Sequence, residues 1–219
     1  PATVDIGCTA AVVSPTHILT AAHCVQQIDR NAGELRSELK PKYEPGGTIW
    51  VNKGVRGSDR QTVTVARTWV HPVWFDEPSR SYRTSLKAPY PADVAVIETV
   101  DRIELTGGYA VIDLAPVEAG DGVEVNGYGC ENGVEGGWSP SRLTYETTRT
   151  LPANALMTSN RSYGAVANDP AAAEKAYQSY MVTPGQKWNA EEGTSRSEDE
   201  ASICPGDSGG PLYRADSSG

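Results

Sequence analysis

No stretch of this sequence comes near the roughly 18 consecutive apolar residues that a membrane-spanning helix needs, so none reads as a membrane segment. Pro1 to Cys8 has neither a basic start nor the apolar run of a secretory leader. Positive charge is scarce as well. Against 28 Asp and Glu there are 19 Lys and Arg, a net charge of −9, so a phosphate backbone or an anionic bilayer would be repelled. Neither nucleic acid nor membrane is expected as a partner. Cysteine is limited to Cys8, Cys24, Cys130 and Cys204, and none of them forms the C-x-x-C pair of a structural zinc site. An even number without metal spacing points to disulfides and to an oxidising compartment, meaning a secreted or periplasmic protein. The three histidines, His17, His23 and His71, fit no ligand signature, so no metal and no cofactor are expected.

What the chain does have is 22 Gly and 15 Pro with 38% hydrophobic residues, a balance that suits short strands joined by many turns. At 219 residues it can bury a substantial core, and the absence of any repeat or linker favours one domain. Ala10-Ala11-Val12-Val13 and His17-Ile18-Leu19-Thr20, parted by Ser14-Pro15-Thr16, read as a hairpin that delivers His23 to a strand end. Residues 26–47 are polar and read as a surface insertion with a short helix over 33–39. Strands are expected over 48–52, 61–70, 93–98, 122–127 and 141–148, the alternation of Val63 and Val65 with threonines marking a half-buried strand. Loops are expected over 76–91 and 183–201. Asp169-Pro170-Ala171 opens the one strong helix pattern, which runs to about Tyr180.

The chemistry concentrates near the C-terminal end. Cys204-Pro205-Gly206-Asp207-Ser208-Gly209-Gly210-Pro211 places one hydroxyl among glycines that can turn sharply and bring backbone N–H groups close to a ligand. The same residue types also make ordinary surface turns, so the turn gains meaning only with a base and an acid to serve it. A serine hydroxyl needs an imidazole to take its proton and a carboxylate to orient that imidazole. His23, in the tight turn Ala21-Ala22-His23-Cys24, is the candidate base; His17 lies on a strand and His71 precedes a proline, where a structural role is the default. Asp93, at the mouth of an apolar strand, is by itself an unremarkable solvated carboxylate.

Thr20-Ala21-Ala22-His23-Cys24, Asp93-Val94-Ala95-Val96 and Gly206-Asp207-Ser208-Gly209-Gly210-Pro211, in that order, resemble the three signatures of the chymotrypsin-like serine proteases of the trypsin superfamily. With Cys8, His71-Pro72 and Tyr128-Gly129, where the family usually has Gly-Trp-Gly, the similarity covers most of the chain. It implies an all-β fold of two antiparallel six-stranded β-barrels with one short helix, a single protease domain whose halves are approximately 1–105 and 106–219. It implies Ser208 as nucleophile, His23 as general base and acid, Asp93 as its orienting acid, and the N–H groups of Gly206 and Ser208 as the oxyanion hole. It also implies disulfides Cys8–Cys24 and Cys130–Cys204. The first would close a loop of about 16 residues, worth roughly 3 kcal/mol in the chain-entropy account.

Ser202, in register with the floor of the family's S1 pocket, is neutral, which argues against a preference for Arg or Lys. Protein or peptide substrates, proteinaceous inhibitors and a monomeric state complete the expectation. The family's strands beyond the nucleophile and its Ile-Val-Gly-Gly-like start have no counterpart here, which implies a longer natural protein and leaves Asp207, the activation-linked carboxylate, without its usual ammonium. A non-catalytic homologue acting as a binding module or a zymogen-like form, and a hydrolase of esters, remain as rival readings.

Overall fold

The structure, a computed structural model, describes residues 2–29, 34–53, 59–75, 93–129, 143–150, 188–189, 194–195 and 206–215. In chain order the strands are β1 (Thr3–Asp5), β2 (Thr9–Ser14), β3 (His17–Thr20), β4 (Gln26–Asp29), β5 (Glu34–Leu39), β6 (Thr48–Lys53), β7 (Asp59–Val70), β8 (Ala95–Thr99), β9 (Gly122–Gly127), β10 (Thr144–Arg149), β11 (Trp188–Asn189), β12 (Thr194–Ser195) and β13 (Leu212–Arg214). Two one-turn helices, α1 (Ala22–Val25) and α2 (Pro72–Phe75), and a 3₁₀ turn at Pro41–Tyr43 punctuate them.

Six of these strands close into a barrel in the order β1-β2-β3-β8-β7-β6, every pairing antiparallel. The alternation that marks the strands in the sequence fills its interior. Val4, Ala10, Val12, Ile18, Ile49, Val51, Val63, Val65, Ala95, Ile97 and Ile103 are buried together, which removes their apolar surface from water and supplies the main favourable contribution to folding. Pro15 and Thr16 make the β2–β3 turn, where the Ser14 hydroxyl accepts the Thr16 N–H at 3.3 Å and lies 2.8 Å from His17 Nδ1. Tyr43 caps one end of the barrel, its buried hydroxyl donating to the Ile6 carbonyl at 2.9 Å.

Among the described residues the second half shows a three-stranded antiparallel sheet, β10-β9-β13, with Val123 and Asn126 of β9 buried. The mostly-β architecture expected from the sequence is therefore present; among the described residues one of the two expected six-stranded barrels is closed, and the second half shows the three-stranded sheet.

Two local expectations are corrected. Residues 34–39 form no helix but pair with β4 as an antiparallel hairpin, Gln26 opposite Leu39 and Ile28 opposite Leu35. The spacing of Leu35 and Leu39 fits a helix face, yet Gln26 follows α1 in extended conformation and offers a strand to pair with, so tertiary context overrides the local pattern. Within the expected loop 183–201, Trp188 and Asn189 pair with Ser195 and Thr194. The helix expected over 169–180 lies outside the described residues.

Candidate active site

The barrel's pairing brings the first two candidates together. β3 and β8 run antiparallel with Thr20 opposite Ala95, so the end of β3 lies beside the start of β8. His23 follows β3 by three residues and Asp93 precedes β8 by two, so the two residues meet at one rim of the barrel. Ala21 and Ala22 are small and buried, which lets α1 turn tightly there, and the Cys24 N–H closes the turn on the Ala21 carbonyl at 3.1 Å. Asp93 then grips His23 twice. Its Oδ2 lies 2.7 Å from His23 Nδ1, and its Oδ1 accepts the His23 backbone N–H at 3.0 Å. A carboxylate oxygen only accepts, so Nδ1 carries a proton, and in the neutral ring the lone pair is on Nε2. Both side chains are about a quarter to a third exposed, at 25% and 30%, which leaves the imidazole a face toward solvent.

The Cys8–Cys24 disulfide is present and joins the start of β2 to α1, with the Cα atoms 6.1 Å apart. It also contacts the Ser208 backbone. Cys24 Sγ lies 3.6 Å from the Ser208 carbonyl oxygen and 3.6 Å from His23 Nε2, so the serine backbone and the lone-pair edge of the imidazole touch the same atom. Cys8, His23 and Cys24 have potential ligand atoms within 4.8 Å of one another, but both sulfurs are bonded in the disulfide and offer no thiolate, so the group does not fit a metal centre.

The turn that carries Ser208 is held by close backbone approach. The Gly210 N–H bonds the Asp207 carbonyl at 2.9 Å, and Gly209 sits between them at φ +80°. A Cβ on Gly209 would stand 2.3 Å from Thr20 Oγ1 and 2.7 Å from the Ala21 nitrogen, so only glycine lets this turn lie against the histidine turn. Gly206, at φ +108°, has the same need, with Gly129 Cα 3.2 Å from where a Cβ would be.

Asp207 is accommodated on the other side. Its Oδ1 accepts the Gly129 N–H at 2.7 Å, and a Cβ on Gly127 or Gly129 would fall within 2.3 Å of the carboxylate. Backbone N–H donation and two glycines thus give Asp207 a shaped place beside Tyr128.

Thr9 is the residue that the sequence did not announce. Its N–H and its hydroxyl both donate to the Gly206 carbonyl, at 2.9 and 2.8 Å; the hydroxyl accepts the Tyr128 N–H at 3.0 Å, and its carbonyl accepts the Thr20 hydroxyl at 3.1 Å. One fully buried side chain therefore ties the barrel, the Tyr128 loop and the Ser208 turn together. Gly206 and Tyr128 lie more than 100 positions away, and a threonine beside a cysteine on a strand carries no local sign of them. Ser202, Cys130 and Cys204 lie outside the described residues.

Comparison with known proteins adds a family. A sequence model described as Trypsin matches residues 2–218. Among solved structures, neuropsin, described as a serine protease expressed in the limbic system of mouse brain, superimposes with a TM-score of 0.59 at 17% identity, covering 98% of this chain and 77% of the neuropsin chain. None of the curated proteins matches the sequence.

Proposed function

The chain belongs to the trypsin family, and on that premise we propose that it is a secreted serine endopeptidase that cleaves peptide bonds through an acyl-enzyme on Ser208. The observation that carries the proposal is the double grip of Asp93 on His23, which fixes the tautomer a general base needs. In this reading His23 Nε2 takes the Ser208 proton as the hydroxyl attacks the scissile carbonyl. Asp93 stabilises the imidazolium, which then protonates the leaving amine; water repeats the sequence to release the acyl group. The N–H groups of Gly206 and Ser208 receive the developing oxyanion, each donor being worth about 10²- to 10³-fold in rate. Residues 1–105 bring His23 and Asp93, and 106–219 bring Ser208.

Ser202 makes the S1 floor neutral, so cleavage after uncharged residues is favoured over cleavage after Arg or Lys. The Cys8–Cys24 bridge supports an oxidising compartment. Protein or peptide substrates are required, and proteinaceous inhibitors of such enzymes are natural ligands for the same cleft. The test is hydrolysis of a peptide library by the protein and by Ser208→Ala: turnover by the first, and loss of at least 10³-fold in the second, is expected. Equal turnover by both would refute the assignment, and dominant cleavage after Arg or Lys would refute the role of Ser202.

A further inference from the structure

Beside the nucleophile turn lies a second feature that the triad does not use. A cavity of about 380 Å³ opens between the barrel and that turn, its lining including Cys8 and Gly206 together with Asp5, Lys42, Trp50 and Arg60. Gly206 stands two residues before Ser208, and Cys8 is bonded to Cys24, whose sulfur lies 3.6 Å from both His23 Nε2 and the Ser208 carbonyl oxygen, so the wall of the cavity adjoins the candidate catalytic residues.

Its charges are arranged in a relay. The Gly7 N–H donates to Asp5 Oδ1 at 2.7 Å, and the amide of buried Asn52 donates to Asp5 Oδ2 at 2.7 Å, so both oxygens of that carboxylate are engaged. Asn52 Oδ1 in turn accepts Arg60 Nε at 2.6 Å, and the guanidinium lies over the Trp50 ring, 5.4 Å from its centroid. These two contacts hold the guanidinium by its inner nitrogen and one face, and among the described residues its two terminal nitrogens have no partner.

Across the cavity, the Lys42 ammonium donates to the Ile6 carbonyl at 3.0 Å and stands 4.7 Å over the Tyr43 ring, which leaves N–H donors uncommitted among the described residues. Two cations and one fully engaged carboxylate give the wall a net positive charge on a molecule that is otherwise strongly acidic.

A carboxylate matches this wall. A guanidinium already oriented at Nε offers its terminal N–H groups as a fork and loses little conformational freedom on binding. We propose that this cavity is a substrate subsite for an acidic side chain, with Arg60 as its principal anchor and Lys42 as a second cation. The inference rests on the protease reading and deepens it: the enzyme selects peptides carrying Asp or Glu at a position removed from the scissile bond.

The test uses paired fluorogenic peptides that differ by Glu against Gln at each position flanking the cleaved bond, with the kcat/KM ratio of each pair taken within one protein preparation. The protein should favour Glu over Gln by about tenfold at one position away from the bond, and the ratio should fall as salt is raised. Arg60→Gln should bring the ratio toward one, Lys42→Gln should reduce it, and Arg60→Glu should turn the preference toward Lys. Because each ratio is internal to one variant, partial loss of folded protein does not affect it. A ratio within twofold of one at every position, or a preference unchanged in Arg60→Gln, would overturn the subsite.

Binding of the same Glu and Gln peptides to Ser208→Ala, read by fluorescence anisotropy, separates the two claims. Glu-selective binding that Arg60→Gln abolishes, with no turnover by the unmodified protein, would keep the subsite and sink the protease. Turnover without any Glu selectivity would do the reverse.

Discussion

Asp93 contributes to this site by its charge and by having two oxygens, because one holds the His23 backbone and the other holds Nδ1. Asp93→Asn keeps the size of the side chain but can present an N–H where His23 needs an acceptor, which favours the wrong tautomer. In steady-state kinetics it should lower kcat by about 10⁴-fold with a much smaller change in KM, and an equal rise in KM at unchanged kcat would contradict the assigned role. Thr9 acts through others. Thr9→Val leaves the Gly206 carbonyl with one donor fewer and the Tyr128 N–H without its acceptor, which should cost about 1–3 kcal/mol of stability. If Thr9 also positions the nucleophile turn, kcat falls while KM holds and Thr9→Ser restores it; a stability loss alone would make Thr9 purely structural.

Tyr128 supplies a pH signature. Burial, aided by the nearby Asp5 charge, pushes its hydroxyl up to about 12 from the ordinary value near 10, so the folded chain keeps this proton after the unfolded chain has lost it. Its contribution to stability is complete below about pH 10 and is lost between about pH 10 and 12. Denaturant midpoints should decline over that window, and Tyr128→Phe should flatten the decline; an equal slope in both proteins would count against the burial of that hydroxyl.

At the scale of elements, the β2–β3 hairpin and the disulfide that ends it determine where His23 lies. Cys8→Ser with Cys24→Ser opens a loop of 16 residues in sequence separation and should cost about 3 kcal/mol in chemical denaturation. The loss should be accompanied by weaker catalysis, since the bridge also touches Ser208 and His23; unchanged stability would mean that the barrel holds the turn without it. These elements were legible because their signals are local. The apolar runs on either side of Ser14-Pro15-Thr16 mark a hairpin wherever they occur, and the alternation of Val63 and Val65 marks β7.

The β4–β5 hairpin was not legible, because Leu35 and Leu39 are spaced as on a helix and only the extended chain after α1 decides otherwise. Thr9 and the glycines around Asp207 were hidden for the same reason. Their meaning lies in partners far along the chain, and Gly127 and Gly129 are needed as glycine only because the Asp207 carboxylate fills the space their side chains would take.

For the whole molecule, the closed barrel is what makes two thirds of the proposed triad a property of the fold. Antiparallel β3 and β8 place His23 and Asp93 side by side, while the contacts of Thr9 and Cys24 hold the Ser208 turn, from the other half of the chain, against the barrel. Resemblance of the three sequence signatures pointed to this assembly; the structure adds the bonds between His23 and Asp93 and the contacts of Thr9 and Cys24 with the turn that carries Ser208.

The proposed chemistry requires Ser208 to be an activated nucleophile. Labelling of the folded protein with a fluorophosphonate probe, followed by peptide mapping, tests it most directly. One adduct per chain is expected on Ser208, slowed strongly in Asp93→Asn and absent in Ser208→Ala, whereas no adduct on a folded protein, or an adduct on another residue, would rule out Ser208 as the nucleophile.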